Sequence, residues 1–254
     1  MDTNEFSGKT ALVTGASRGI GAATAVALAQ HGVRRFLLQY NRNSQGITQV
    51  LASLRGAGAS AEAVQADLSE LSGIHCFLDA LKCAPTFDIL VNNAGSLVKR
   101  ARLTEFTEEL YDQVMNLNVK SVWFISKAVV PAMIAQGGGS IVNVSSIAAR
   151  TGGGPGATIY SAAKAAVSTM TKGMARELAP QGIRVNAVSP GTVDNYFHEQ
   201  FSTRAALDSV VAQTPAGRLG TNEEVADTIL FLCSEASRYI HGQTIEINGG
   251  MFMV

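Results

Sequence analysis

The chain has 254 residues, 46% of them hydrophobic and 16% charged, with 20 basic side chains balanced by 20 acidic ones. This composition excludes a disordered chain, and zero net charge removes the electrostatic reason to expect nucleic acid or an anionic membrane surface as a partner. One domain spanning 1–254 with a large buried core is expected. The cysteines, Cys76, Cys83 and Cys233, fit neither a disulfide framework nor a zinc site by spacing, and they read as buried free thiols. The start, Met-Asp-Thr-Asn-Glu-Phe, carries acids and no apolar run, unlike a secretory signal. No apolar stretch is expected to reach the ~20 residues of a membrane helix, so the expected location is cytoplasmic.

Along the chain, short apolar runs alternate with helical patterns. Residues 10–14 read as a buried strand and 20–31 as an Ala-rich helix. Residues 35–40 read as a second strand, 47–55 as a helix and 61–66 as a third strand. Further strands are expected at 87–91, 140–144 and 183–189, each after a helical segment, and 244–247 closes the series. This alternation predicts an α/β fold: a doubly wound parallel sheet of the Rossmann type, in three layers, α/β/α. Ligands of such sheets bind beyond the carboxyl ends of the strands, where the strand order reverses.

Thr14-Gly15-Ala16-Ser17-Arg18-Gly19-Ile20-Gly21 follows the first strand and opens the first helix. Glycines at 15, 19 and 21 permit a tight turn and let backbone approach a pyrophosphate. The helix start adds unpaired N–H groups and a partial positive charge. The spacing is Gly-x3-Gly-x-Gly, without the Gly-Lys-Ser/Thr ending of a P-loop, and a dinucleotide is the expected ligand.

Tyr160 and Lys164 lie four residues apart, a spacing that shares one helix face. An ammonium beside a phenol favours the phenolate and lowers the tyrosine pKa from about 10 towards neutral, as a general acid/base requires. Ser145 and Ser146 lie just upstream. The pair alone is a common coincidence and gains meaning only from its companions.

Those companions stand in order. Asn92-Asn93-Ala94-Gly95 follows the fourth strand, Asn118 sits in Asn-Leu-Asn-Val-Lys-Ser, and Ser146 ends Ile-Val-Asn-Val-Ser-Ser. Pro190-Gly191 follows the sixth strand, and Pro-Ala-Gly-Arg-Leu-Gly and Ile-Asn-Gly-Gly stand near the end. From about residue 8 to 250 the chain resembles the short-chain dehydrogenase/reductase family in its single-domain form. The resemblance implies one dinucleotide-binding and catalytic domain and hydride transfer between nicotinamide and a carbonyl/alcohol pair. It implies Tyr160 as the general acid/base, with Lys164 depressing its pKa and holding the ribose hydroxyls. Ser146 would donate to the substrate oxygen, where charge develops. Asn118 is implied to help hold a water linking Lys164 to solvent, and stabilisation of a helix kink is its other reading. Ser145 reads as a strand-end hydroxyl. Gly15, Ser17, Arg18, Gly19, Ile20 and Gly21 are implied cofactor contacts. So are Asp67, Leu68, Asn93, Ala94, Gly95, Pro190, Gly191 and Val193, although Asp67 reads equally as a helix cap. Where family members commonly place a Thr near the nicotinamide amide, this chain has Asn195, so Thr192 and Asn195 are both candidates for that contact. The glycine-rich segment 152–156 makes the stretch between Ser146 and Tyr160 about one residue longer than usual.

An NAD site usually has an acid about 20 residues beyond the glycines. Here that stretch reads Gln39-Tyr40-Asn41-Arg42, and the first acid after the turn is Glu62. Arg18 and Arg42 suit a 2′-phosphate, so NADP is expected over NAD, with Tyr40, Asn41 and Arg42 at the ribose. A solvated loop charge is the plainer reading of Arg42.

Substrate choice is expected in 96–104, 147–159 and 192–215. The last carries Tyr196, Phe197, Phe201, Leu207, Val210 and Val211, either as a lid or as core packing. Lys99, Arg100 and Arg102 read as a solvated basic loop or as a seat for an anionic tail, His198 as a packing residue, and Arg176 as a contact for an acidic carrier. The pattern is similar to 3-oxoacyl-[acyl-carrier-protein] reductases and to sugar or polyol dehydrogenases. A 3-oxoacyl thioester or small ketone is therefore the expected substrate, a sugar or polyol the alternative, and a non-catalytic redox sensor the reading of another class. No metal is expected. Family members commonly form homotetramers. The apolar helices 121–135 and 157–179 and the tail 249–254 are expected to pack against copies of the chain, in a homotetramer or dimer.

Overall fold

The computed structural model describes residues 4–253; residues 1–3 of the acidic start and residue 254 of the apolar tail lie outside the described residues. Strand β1 (Thr10–Val13) is buried along its whole length because it lies inside the sheet, between β2 (Arg35–Tyr40) and β4 (Ile89–Asn92). Strand β3 (Ser60–Gln65) lies outside β2; β5 (Gly139–Val144), β6 (Ile183–Pro190) and β7 (Thr244–Ile247) follow β4 in turn. All seven strands are parallel, in the order β3-β2-β1-β4-β5-β6-β7. The order reverses between β1 and β4 and opens a crevice beyond their carboxyl ends. This is the doubly wound, three-layer fold that the sequence predicts.

Helices cover both faces. On one, α1 (Gly19–Gln30) and α2 (Ser44–Gly56) pack with α10 (Asn222–Cys233), around Leu28, Val50, Leu54 and Ile229. α1 is built almost wholly of Gly, Ala and small apolar residues, which lets α10 come close alongside it. On the other face, α3 (Leu71–Leu81), α5 (Ser121–Ala135) and α7 (Thr158–Leu178) bury Ile74, Phe77, Ile125, Met133 and Met174. The helix α4 (Glu108–Met115) precedes α5, and three short helices, α6 (Ala148–Thr151), α8 (Tyr196–Phe201) and α9 (Arg204–Gln213), follow β5 and β6.

One expectation is corrected and one needs a qualification of length. The continuous helical stretch Glu108–Ala135 spans 28 residues and contains an 18-residue window with a mean hydropathy of 1.2, but Glu108, Glu109, Asp112, Lys120 and Lys127 interrupt it, so no unbroken apolar run reaches the length of a membrane span. A π-turn at Asn116–Lys120 carries buried Asn116 and Asn118 through its middle, and Val114, Ile125 and Met133 pack into the fold. One side of this stretch lies in the core, while Trp123, Phe124 and Ile134 on the other are exposed. The cysteines also differ from expectation: Cys233 is buried, but Cys76 and Cys83 are exposed. α3 turns Ile74 and Phe77 inward, so Cys76 falls on its outer side.

Candidate active site

The floor of the crevice is a lock between two turns. Thr14, just after β1, carries a hydroxyl that accepts the N–H groups of Asn93 and Ala94, both at 3.0 Å. The Asn93 amide donates back to the carbonyls of Thr14 (2.8 Å) and Gly15 (3.1 Å). Gly15 has a left-handed φ of 64°, and a Cβ there would stand 2.9 Å from Asn93 Nδ2 and 3.0 Å from Ala94 Cα. Only glycine fits on both counts. Gln39, buried in β2, accepts the Gly15 N–H (2.9 Å) and donates to the Ala66 carbonyl (2.7 Å), tying the turn to β2 and to the end of β3. Sequence reasoning gave Gln39 no role; the signal was a glutamine in an otherwise apolar strand.

α1 begins with no side-chain cap and no acid in its first turn, so its N–H groups and positive end are free to receive a phosphate. Asn43 caps α2 and donates to the Ser17 carbonyl at 3.0 Å, holding the start of α2 beside the glycine turn. Ile20 packs on the core beneath. Asp67 accepts the N–H of Ser69 (3.0 Å) and its hydroxyl (2.5 Å), and lies 3.7 Å from Arg42. Burial pushes its pKa up. The Ser69 bonds, Asn41 and the Arg42 charge outweigh this and hold it below the usual range, so Asp67 is ionised. Asp67 closes the turn before α3 through Ser69, and the N-cap position of α3 itself is Glu70, so Asp67 is not the helix cap of its second reading. Leu68 is buried in the core, which leaves its backbone alone for any ligand, while Tyr40 is half-buried and Arg42 largely exposed.

Across the crevice, Tyr160 and Lys164 stand on successive turns of α7. Lys164 is buried, donates to the Val144 carbonyl at 2.8 Å, and lies 5.7 Å from the centroid of the Tyr160 ring. Burial pulls its pKa down to about 8. Burial pushes Tyr160 up to about 12, against a hydrogen bond with Ser146 that acts the other way. The expected depression of the tyrosine is thus absent from this conformation. The ammonium is turned to a carbonyl, and the Phe197 ring, 5.8 Å away, covers the phenol. Tyr160 keeps its proton at neutral pH, which suits a proton donor.

Ser146 accepts the Ala148 N–H at 3.1 Å. Ser145 is buried and bonds to the Lys164 carbonyl (2.9 Å) and to Ser168 (2.7 Å), anchoring β5 to α7. Asn118 spends both amide N–H groups on the carbonyls of Ser96 and Val114, each at 2.8 Å, and accepts the Ser96 N–H at 3.2 Å. This geometry matches the kink-stabilising reading. Asn118 Oδ1 and Lys164 Nζ converge on Gly95, where a Cβ would lie 2.8 and 2.7 Å from them. Pro190 accepts the Ile147 N–H (2.9 Å), Gly191 donates to Ile247 (2.8 Å), and Val193 is buried in a bridge with Gly220.

The mouth is built from the three segments expected to set substrate choice. Arg100 joins them: its Nε donates to the Phe201 carbonyl (2.7 Å) and its Nη1 to the Pro155 carbonyl (3.0 Å). Lys99 and Arg102 are exposed, and the backbone N–H of Arg102 is taken by Glu105 at 3.2 Å. His198 packs edge-on against Phe197 at 5.1 Å, and burial, with the Arg100 charge, pulls its pKa down to about 4. Asn195 caps α8 and bonds to Asn222 at 3.0 Å. Arg176 sits in the last turn of α7, roughly 24 Å along the helix from Tyr160.

A parallel sheet with a glycine turn at its switch point, facing a lysine-backed tyrosine, is the architecture of a dinucleotide-dependent oxidoreductase. A family model described as enoyl-(acyl carrier protein) reductase matches residues 15–252. The chain is 38% identical to the 3-oxoacyl-[acyl-carrier-protein] reductase FabG of Escherichia coli over 255 residues, covering 98% of this chain and 99% of that one. Among solved structures it is similar to a gluconate 5-dehydrogenase from Burkholderia cenocepacia in complex with NADP and tartrate (TM-score 0.87, 32% identity, 98% and 97% of the two chains). It is equally similar to an NADH-dependent reductase responsible for alginate metabolism (TM-score 0.87, 33% identity, 99% and 100%). The chain belongs to the short-chain dehydrogenase/reductase family.

Proposed function

We propose that the chain is an NADP(H)-dependent oxidoreductase of a carbonyl/alcohol pair, acting as one dinucleotide-binding and catalytic domain over 1–254. The observation that carries this reading is the gathering of Ser146, Tyr160 and Lys164 across the crevice from the glycine turn. When bound, the nicotinamide supplies or accepts the hydride. In the reducing direction Tyr160 gives its phenolic proton to the carbonyl oxygen as that oxygen gains charge. Ser146 donates to the same oxygen, and the Lys164 ammonium stabilises the phenolate left behind. Oxidation of an alcohol runs the same proton transfer backwards. The glycine turn and the start of α1 would hold the pyrophosphate, with Asp67, Asn93, Ala94 and Gly95 towards the adenosine. Pro190, Gly191 and Val193 would border the nicotinamide. Asn195 is committed to α8 and Asn222, which favours Thr192 as the donor near the nicotinamide amide.

NADP is favoured because β2 ends in Tyr40-Asn41-Arg42, with no acid in that stretch, and Arg42 is exposed there, its charge shared with Asp67 at 3.7 Å. A 3-oxoacyl thioester or small ketone is favoured by the FabG relatives and by the aromatic cover over Tyr160. A sugar-acid substrate is the second reading, favoured by the gluconate 5-dehydrogenase likeness. Self-association as a tetramer or dimer is supported by Trp123, Phe124 and Ile134, apolar and exposed on α5. A cytoplasmic setting is supported by free thiols at 76, 83 and 233.

The test follows NADPH absorbance with acetoacetyl and crotonyl thioesters, simple diketones and 5-keto-gluconate, with NADH in parallel. Turnover of the acetoacetyl thioester with NADPH, and none of the crotonyl thioester, is the expected result. Turnover only of the keto-sugar acid would establish the second reading. A clear NADH preference would refute the cofactor assignment. Binding of NADPH with no turnover across the panel would favour the redox sensor.

A further inference from the structure

Arg18 has an unusual partner. It holds the N-cap position of α1 with an extended backbone (φ −168°), and its side chain, which has donors only, makes no cap. Its guanidinium carbon stands 3.9 Å from the centroid of the Tyr196 ring. Among the described residues that guanidinium makes no hydrogen bond or ion pair. A face-stacked guanidinium keeps its N–H donors in its own plane, so the stack leaves the fork open to a phosphate.

The ring is held firmly at its base. Tyr196 is the first residue of α8, whose cap, Asn195, accepts the Phe197 N–H at 3.1 Å and donates to Asn222 Oδ1 at 3.0 Å. Asn222 opens α10, which packs on α1. A Cβ on Gly19 would lie 3.6 Å from Asn222 Oδ1 and 3.9 Å from Asn195 Nδ2, so the foot of α8 stands on the glycine turn itself. The next residue, Phe197, covers Tyr160. Adjacent side chains of one helical turn therefore touch the arginine at the phosphate end of the crevice and the phenol at the reacting end.

We propose that Tyr196 is the positioning residue for Arg18, so that one guanidinium is shared between the lid over Tyr160 and a phosphate of the dinucleotide. The inference rests on the cofactor reading above and deepens it. Arg18 on a free side chain must be ordered by the phosphate at the moment of binding, whereas stacked on Tyr196 it is already ordered. By linkage, a phosphate bound to Arg18 in turn favours α8 in its closed place over Tyr160.

The test is the dissociation constant of NADPH and of NADH, read by nicotinamide fluorescence, for the full chain and for Tyr196→Phe and Tyr196→Leu. Tyr196→Phe keeps the ring face and is expected to bind NADPH within twofold of the parent. Tyr196→Leu is expected to bind it about fivefold more weakly. Equal losses for both nucleotides would identify the pyrophosphate as Arg18's partner, and a loss confined to NADPH would identify the 2′-phosphate. In an Arg18→Met background, Tyr196→Leu should change nothing further, which a merely structural role for the ring would not produce. The proposal is overturned if Tyr196→Leu binds NADPH like the parent, if Tyr196→Phe falls as far as Tyr196→Leu, or if the two losses simply add. A parent that binds neither nucleotide would overturn the cofactor reading itself, an outcome distinct from these.

Discussion

The two sides of the crevice are built on different principles. The floor, from Thr14 to Gly21 and across to Asn93, is fixed by buried amides and hydroxyls that bond to backbone, with glycine where a Cβ would collide. The mouth, from Val98 to Arg102 and from Asn195 to Phe201, is fixed by an exposed arginine, two asparagines and tilted or edge-on ring contacts. Removing a buried partner strands a polar group away from water, whereas removing an exposed one lets water take its place. Substitutions in the floor should therefore act on stability, and those in the mouth on substrate and cofactor affinity with the fold intact.

Tyr160 stands where the two sides meet and should show the largest effect. Tyr160→Phe keeps the ring beneath Phe197 and removes only the hydroxyl. Turnover is expected to fall about 10³-fold, with the NADPH dissociation constant within twofold of the parent. A variant that keeps more than a tenth of the parent's kcat would remove Tyr160 from its proposed role.

The pH profile comes next. Lys164 is held down to about 8 by burial, so its charge is present below that pH and lost above it. Ketone reduction builds negative charge on the substrate oxygen and then on Tyr160. The kcat/KM for reduction should be level below pH 8 and fall up to about tenfold per unit above it. Lys164→Arg, which keeps the charge, should abolish that fall, and a level profile to pH 10 in the parent would contradict the assignment. The same burial acts on folding with a definite sign. Between about 8 and the ordinary 10.5 the folded chain binds fewer protons at Lys164 than the unfolded one, so this residue's contribution to stability rises with pH there.

Much of this frame was legible from the sequence, because it is written locally. Apolar runs punctuated by helical patterns predict the order of elements, and the glycine turn falls at the end of β1, as its spacing requires. What was not legible depends on partners distant along the chain. Gln39 bonds to Gly15 and Ala66, 24 and 27 residues away, and Arg100 to Phe201, 101 residues away. Spacing placed Tyr160 beside Lys164, but the direction of the Tyr160 shift follows from burial and from where the ammonium points, neither of which a four-residue interval reveals. Cys76 was misread for a similar reason: a helix has an outer side even in an apolar chain.

Gln39→Leu tests the floor. The substitution keeps the volume but strands the Gly15 N–H and the Ala66 carbonyl, each costing about 1–3 kcal/mol if water cannot reach it. The Tm is expected to fall by roughly 5–10 °C, with NADPH binding weakened because the glycine turn is no longer braced. A change within about 2 °C would show that the floor is not locked as described.

Arg100→Met is the matching test at the mouth and should show the smallest effect. Methionine preserves the apolar stem and removes the donors to Phe201 and Pro155, both of which lie where water can replace them. Stability should hardly move, with the Tm within about 2 °C of the parent. The substrate segments, no longer tied, must be ordered by the substrate itself, so KM should rise about threefold to tenfold while kcat stays near the parent value. If instead the Tm falls as it does for Gln39→Leu, Arg100 belongs with the floor. The mouth would then be a rigid part of the fold, and the ring contacts of Tyr196 and Phe197 would have to be read as core packing, not as a lid.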